Sequence, residues 1–123
     1  MNALDDDSSR SVSVIRAEDV TLNFSKLNGL LPVVVQHHEN RDVLMVGFMN
    51  EDAWAMTRQK RMVTFWSRER KVLWTKGETS GNVLRVKRVW TDCDSDTLLI
   101  EADPAGPTCH TGAPSCFFQE IAS

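Results

Sequence analysis

The sequence predicts an α+β fold rich in strand, with mixed and antiparallel pairing around one central helix at about residues 50–60. Three observations lead there. Runs of β-branched residues bounded by turn residues recur along most of the chain. One segment alone has the capping and charge polarity of a helix. A length of 123 residues suffices for one hydrophobic core but not for two independent ones.

Residues 1–14, with "DDDSSRS" inside them, lack apolar periodicity and read as a flexible tail, leaving 15–123 as a single domain. "AEDVTLNF" is a short helix or turn. "LLPVVVQHH" and "VLMVGFM" form a strand pair joined by a tight turn in "ENRD", and Pro32 sets the first strand's start at a sheet edge. In "NEDAWAMTRQKR" Asn50 is the N-cap, with acidic residues in the first turn and basic ones in the last, as the helix dipole favours. "MVTFWS", "KVLWTK", "NVLRVKRVWTD" and "TLLIEAD" follow as strands. "PAGPTCHTGAP" is turn chemistry throughout, and "CFFQEI" is a short apolar close.

Composition removes several classes of function. A net charge of -3 gives no bulk attraction to nucleic acid or to an anionic membrane. "VLMVGFM" is far shorter than the roughly 20 apolar residues of a membrane helix, so no membrane partner is expected. The polar, acidic N-terminus lacks the pattern of a secretory signal, so the expected location is cytoplasmic. Three cysteines cannot all pair within one chain, which favours metal ligation or inert burial.

"TDCDSDTL" places Asp92, Asp94 and Asp96 at alternate positions around Cys93. Like charge so dense asks for a cation or for water. On a strand the three aspartates would share one face and Cys93 would take the other. A flat strand would also hold the outer two Cα atoms about 13 Å apart, so a single shared ion demands a bend. The spacing opens a calcium EF-hand loop, but Thr97 and Asp103 stand where that loop needs Gly and Glu, leaving a hard cation such as magnesium or a solvated acidic end.

Cys93, Cys109 and Cys116 lack the spacing of a zinc ribbon, yet three thiolates would leave one tetrahedral position open, as a catalytic zinc requires. Three unrelated thiols is the other reading. His110, beside Cys109, is a candidate general acid or base. His37 and His38 are adjacent, so on a strand they face opposite ways and cannot chelate as a pair. The stretch from Phe65 to Asn82 offers Arg68 and Lys76 for phosphate, Trp74 as a face for a base, and Glu78, Thr79 and Ser80 in a donor-rich turn. An exposed hairpin with Trp74 in the core is the plainer alternative.

"WTKGETSGN", "DCDSD" and "GPTCHTGAPSCF" occur in this order, and together they make the chain resemble the phosphoribosyl-AMP cyclohydrolase family over roughly residues 24–118. The resemblance implies a hydrolase of histidine biosynthesis that opens the adenine ring of phosphoribosyl-AMP at the N1–C6 bond by zinc-activated water. It also implies zinc on Cys93, Cys109 and Cys116, magnesium on Asp92, Asp94 and Asp96, and His110 moving protons. Arg68, Trp74, Lys76, Glu78, Thr79 and Ser80 are the implied substrate contacts. In the family Cys93 and the Cys109/Cys116 pair come from different subunits, so an intertwined homodimer is expected, here in a single-function form. The H-x-E and P-C-x-x-C pattern of zinc deaminases is absent. A single-stranded nucleic-acid module and a purely structural zinc protein are the rivals; the acidic "DCDSD" opposes the first, and no nucleic-acid partner is expected.

Overall fold

The computed structural model describes residues 12–123, so the expected tail lies outside the described residues for 1–11. Among the described residues, six strands and one helix follow a 3-10 turn at Ala17–Asp19: β1 (Leu31–His37), β2 (Val43–Met49), α1 (Glu51–Lys60), β3 (Thr64–Ser67), β4 (Val72–Thr75), β5 (Leu84–Thr91) and β6 (Leu98–Pro104). The α+β architecture expected from the sequence is what forms.

A four-stranded sheet has the order β2-β1-β6-β5, and β3 and β4 form a separate hairpin. β1 runs antiparallel to β2 but parallel to β6, and β5 runs antiparallel to β6, so the sheet is mixed. β1 is therefore an interior strand, not an edge. Pro32 is tolerated because pairing with β6 begins only at Val33, opposite Leu98, so no ladder bond to β6 requires its missing N–H. Residues 61–63 bridge the two sheets: Val63 N donates to Leu84 O at 2.9 Å and Lys76 N to Val63 O at 3.0 Å.

The core lies between the sheet's inner face and the layer formed by α1 and the β3–β4 hairpin. Leu31, Val33 and Val35 are buried at alternate positions of β1, as are Leu98, Ile100 and Ala102 on β6, and they pack with Phe65, Leu84 and Met49. Glu101 is also buried, and its carboxylate accepts a hydrogen bond from Trp90 Nε1 at 2.6 Å. Helix α1 begins as its sequence requires. The Asn50 side chain accepts from Ala53 N at 2.8 Å, and Arg61 closes the helix in the left-handed conformation at φ 59° with its N–H on Thr57 O.

Two expectations from alternation fail for one reason, the chain leaving the strand earlier than the pattern suggests. Residues 92–97 are the turn joining β5 to β6, not strand, so alternation does not set the faces of Asp92, Cys93, Asp94 and Asp96. His38 lies in the β1–β2 turn, where its ring stacks on His37 with centroids 5.4 Å apart and planes 7° apart.

Gly47 sits where β2 meets the hairpin, and a Cβ there would stand 2.5 Å from Phe65 Cδ1. Gly47→Ala is expected to destabilise the protein by about 1–3 kcal/mol, because the buried ring must move. Urea denaturation checks it, the prediction being a lower midpoint at unchanged slope.

Candidate functional site

β6 organises the site by separating two groups of chemically active side chains. The "DCDSD" turn precedes its first residue and the "GPTCH" loop follows its last. Seven strand residues span about 20 Å between them.

At the first end, backbone hydrogen bonds bend the turn. Asp92 N donates to Thr97 O and Ser95 N to Asp92 O, each at 3.2 Å, with Ser95 at φ 60°. Asp92 Oδ1 accepts from the N–H groups of Asp96 and Thr97 at 3.1 and 3.2 Å. The bend demanded by three converging aspartates is thus present, and one carboxylate oxygen from each of Asp92, Asp94 and Asp96 lies within 4.8 Å of the others. Lys26 meets this charge. Its Nζ is 2.8 Å from Asp94 Oδ2 and 2.6 Å from Asp96 Oδ2, and Asn23 N holds the same segment by donating to Ser95 O at 2.7 Å. The hydrogen bond from Lys26 is the leading cause holding the Asp96 carboxyl at about 2, and the same contacts with Asp94 and Asp96 push the Lys26 ammonium well above the ordinary lysine range. Cys93 is exposed on this turn, beside a recess of about 420 Å³ lined by Trp54, Val89 and Trp90.

At the other end, Cys109 is buried in a tight turn: Cys109 N donates to Ala113 O at 3.0 Å and Gly112 N to Cys109 O at 2.9 Å. The Thr111 hydroxyl donates to Cys109 Sγ at 3.1 Å, which is the main reason this thiol is shifted down. Cys116 is carried to the same place by two bonds to the start of β2, its own N to Leu44 O at 2.8 Å and Ser115 Oγ to Val43 O at 2.6 Å. Although the residue is exposed overall, partial burial of its thiol pushes Cys116 up, and the neighbouring Cys109 sulfur adds to the shift. Cys109 thus gives up its proton before Cys116. Lys76 is near enough for its charge to favour both thiolates. The Thr108 hydroxyl, 1 % exposed beside Cys109, has no hydrogen-bond partner. His110 is exposed on this turn.

The structure therefore brings Cys109 and Cys116 together and leaves Cys93 at the opposite end of β6. Among the described residues, no cluster of three His, Cys, Asp or Glu side chains close enough to share an ion contains a cysteine. His37, His38 and Glu39 do form such a cluster, but His37 Nδ1 already accepts from Glu39 N at 3.1 Å.

The "TKGETSGN" turn docks on the "GPTCH" loop. Gly77, at φ +81°, and Gly106 both lack a Cβ that would strike Asn82, at 2.2 and 2.3 Å, and Ala105 N donates to Val83 O at 2.9 Å. Glu78 Oε1 accepts from Thr75 N at 3.1 Å, while Thr79 and Ser80 stand exposed. Next to this turn opens a groove of about 590 Å³ lined by Gly47, Phe48, Trp66, Arg68 and Trp74. The Arg68 guanidinium carbon lies 4.0 Å from the Phe48 ring centroid, and Trp74 packs against Phe65 with centroids 5.3 Å apart. The groove reaches Met45, next to the Leu44 carbonyl that holds Cys116. Arg68 and Trp74 thus share the groove, and Lys76, whose charge favours both thiolates, has its Nζ 6.0 Å from the Trp74 ring centroid. Thr79 and Ser80 line a separate recess along with Trp74.

Sequence reasoning missed Lys26, Thr111, Asn82 and the Phe48 wall of the groove. Thr111 was recoverable from the local turn, two residues from Cys109. Lys26 was not, because 68 positions separate it from Asp94.

Fold and side chains define a class: a small α+β protein with a soft thiol pair at one end of a central strand and a hard carboxylate cluster at the other, donor types suited to different metals. The sequence profile of the phosphoribosyl-AMP cyclohydrolase family matches residues 45–118, which include all three cysteines and the three aspartates. The chain belongs to the phosphoribosyl-AMP cyclohydrolase family. It is 48% identical over 103 residues to a phosphoribosyl-AMP cyclohydrolase from Streptococcus sanguinis (strain SK36), covering 84% of this chain and 90% of that one. It is 60% identical over 97 residues to the histidine biosynthesis bifunctional protein HisIE of Xanthomonas axonopodis pv. citri (strain 306), and 56% identical over 98 residues to that of Haemophilus influenzae (strain ATCC 51907 / DSM 11121 / KW20 / Rd). Those matches cover 79% and 80% of this chain but 47% and 44% of the relatives, so the chain spans about half the length of these bifunctional proteins.

Because the folded-state value of Asp96 lies below its ordinary 3.8, its bond with Lys26 lends full stability above a pH of about 4 and loses it as pH falls through about 2. A carboxyl NMR titration of protein freed of divalent cations is expected to show a midpoint near 2 for Asp96, rising toward 3.8 in Lys26→Met.

Proposed function

We propose that this protein is a phosphoribosyl-AMP cyclohydrolase that acts in the cytoplasm in histidine biosynthesis, hydrolysing the N1–C6 bond of the adenine ring. The observation that carries this reading is an aromatic and cationic groove that approaches the thiol pair: Arg68, Phe48 and Trp74 form walls suited to a purine, Met45 in its lining neighbours the Leu44 whose carbonyl holds Cys116, and Lys76, 6.0 Å from the Trp74 ring, also favours both thiolates.

The donor sets fit the two metals that the family implies. Cys109 and Cys116 offer soft sulfur ligands, of which Cys109 loses its proton readily, and the unpartnered Thr108 hydroxyl beside them can bond to a bound group. Asp92, Asp94 and Asp96 offer the oxygen ligands of a hard cation such as magnesium. Zinc, when bound, supplies a Lewis acid that brings the pKa of water toward ~7. A third thiolate is needed to complete the zinc ligands, and Cys93 of the same chain stands a strand's length away, so we assign that place to Cys93 of a second copy. This makes the active form a homodimer with two shared sites. The exposure of Phe117 at 63 % and Phe118 at 54 %, next to Cys116, supports a partner at this end.

In this reading water adds at C6, the N1–C6 bond breaks, and the water oxygen ends as the carboxamide carbonyl. Both protons of the water must leave its oxygen, one to reach N1 and the other to pass to the exocyclic nitrogen or to solvent. His110, exposed beside Cys109, takes the first and returns it to N1. The groove holds the base, while Lys76, Thr79, Ser80 and Glu78, whose carboxylate is tied to Thr75 N, present charge and hydrogen-bonding groups to the phosphoribosyl moieties. In the rival reading, a structural zinc protein, His110 is idle.

Ultraviolet-monitored turnover of phosphoribosyl-AMP with zinc and magnesium supplied tests the activity, and absence of ring opening refutes it. His110→Ala is expected to lower kcat by about 10²–10⁴ without loss of zinc, whereas an unchanged kcat favours the structural protein. Co-expression of Cys93→Ser with Cys109→Ser chains tests the shared site. Random pairing leaves one intact site in each mixed dimer, so two inactive proteins are expected to yield about a quarter of wild-type activity. No recovery in verified mixed dimers removes the assignment of Cys93 to the partner.

A further inference from the structure

Asp94 and Asp96 already have a cation between them, the ammonium of Lys26, 2.8 and 2.6 Å away. We propose that Lys26 is a resident counter-cation of the aspartate turn and that a divalent cation binds there by displacing it, which rests on the reading that these aspartates hold such a cation.

The carboxylate cradle does not depend on Lys26 for its shape. Asp92 Oδ1 is held by two backbone N–H groups, and the Asp92–Thr97 and Ser95–Asp92 backbone bonds close the turn from within. Neutralising two neighbouring carboxylates is what the lysine adds. Lys26 occupies Asp94 Oδ2 and Asp96 Oδ2, and one carboxylate oxygen from each of Asp92, Asp94 and Asp96 lies within 4.8 Å of the others, so a divalent ion shared by the three would stand within a few ångströms of the ammonium, where repulsion is strongest. Lys26 can leave without unfolding its surroundings. Its side chain is 54 % exposed, and the loop bearing it is closed by Gly29 N on Phe24 O at 2.8 Å and anchored by Asn23 N on Ser95 O at 2.7 Å. In the absence of the divalent ion, then, Lys26 offsets the charge of a turn that its own backbone bonds already shape, and the strength of its hold sets how much cation is needed to replace it.

Displacement is read by binding and not only by turnover. Titration with Mn²⁺, followed by electron paramagnetic resonance, is expected to show roughly tenfold tighter binding to Lys26→Met than to wild type, and wild-type-like binding to Lys26→Arg. In the wild-type protein, saturating Mg²⁺ is expected to increase several-fold the rate at which Lys26 is acylated by an amine-selective reagent, measured by peptide mass spectrometry, as the ammonium moves into solvent. This second measurement needs no variant. Equal or weaker Mn²⁺ binding by Lys26→Met, or tighter binding without a change in wild-type Lys26 labelling, overturns displacement. If neither protein binds Mn²⁺ in a manner abolished by Asp94→Asn with Asp96→Asn, the cation site itself fails and the role of Lys26 falls with it.

Discussion

The pairing of β1 with β6, parallel and in the middle of the sheet, is the constraint on which the rest of the structure depends. A parallel neighbour cannot be reached by a short turn, so the chain between them must cross over, and that crossover contains β2, α1, the β3–β4 hairpin and β5. It supplies the layer that covers Leu31, Val33, Val35 and Ile100. It also means that β6 is entered from the "DCDSD" turn and left toward the "GPTCH" loop, so the two sets of metal-ligating residue types are held apart by the strand's own length.

Each end of β6 handles charge in its own way. At the aspartate turn, three exposed or half-buried carboxylates converge because backbone N–H groups bend the chain around Asp92, and Lys26 arrives from a distant segment to offset the repulsion. At the thiol end, the turn around Cys109 brings a hydroxyl onto one sulfur while partial burial affects the other, so two chemically identical groups part in acidity. A protein of net charge -3 thus sets three of its 14 lysines and arginines, Lys26, Arg68 and Lys76, beside the acidic turn, the groove and the thiols.

Much of the fold was legible because its signals are local. Asn50 and the charge polarity of residues 51–60 specify a helix through backbone groups a turn away, and β-branched runs between turn residues specify strands. Pro32 misled because a missing N–H marks an edge only where the ladder needs that N–H, and here the β6 ladder starts one residue later. Alternation misled at "DCDSD" and at His38 because a period of two holds only while the chain stays extended, and hydrogen bonds within each turn had already ended the strand.

By itself the sequence determined the element types, the residue types able to ligate metal, and the motifs that mark the family, since each depends on side-chain chemistry and neighbours a few positions away. Only the tertiary structure decided that β1 is interior and that Lys26 sits between Asp94 and Asp96. The same is true of the approach of Cys116 to Cys109 and the stranding of Cys93 at the far end of β6. They depend on contacts between segments tens of residues apart, Lys26 with Asp94 and Cys116 with Leu44, and no local spacing encodes a distance set by the length of a strand elsewhere in the chain.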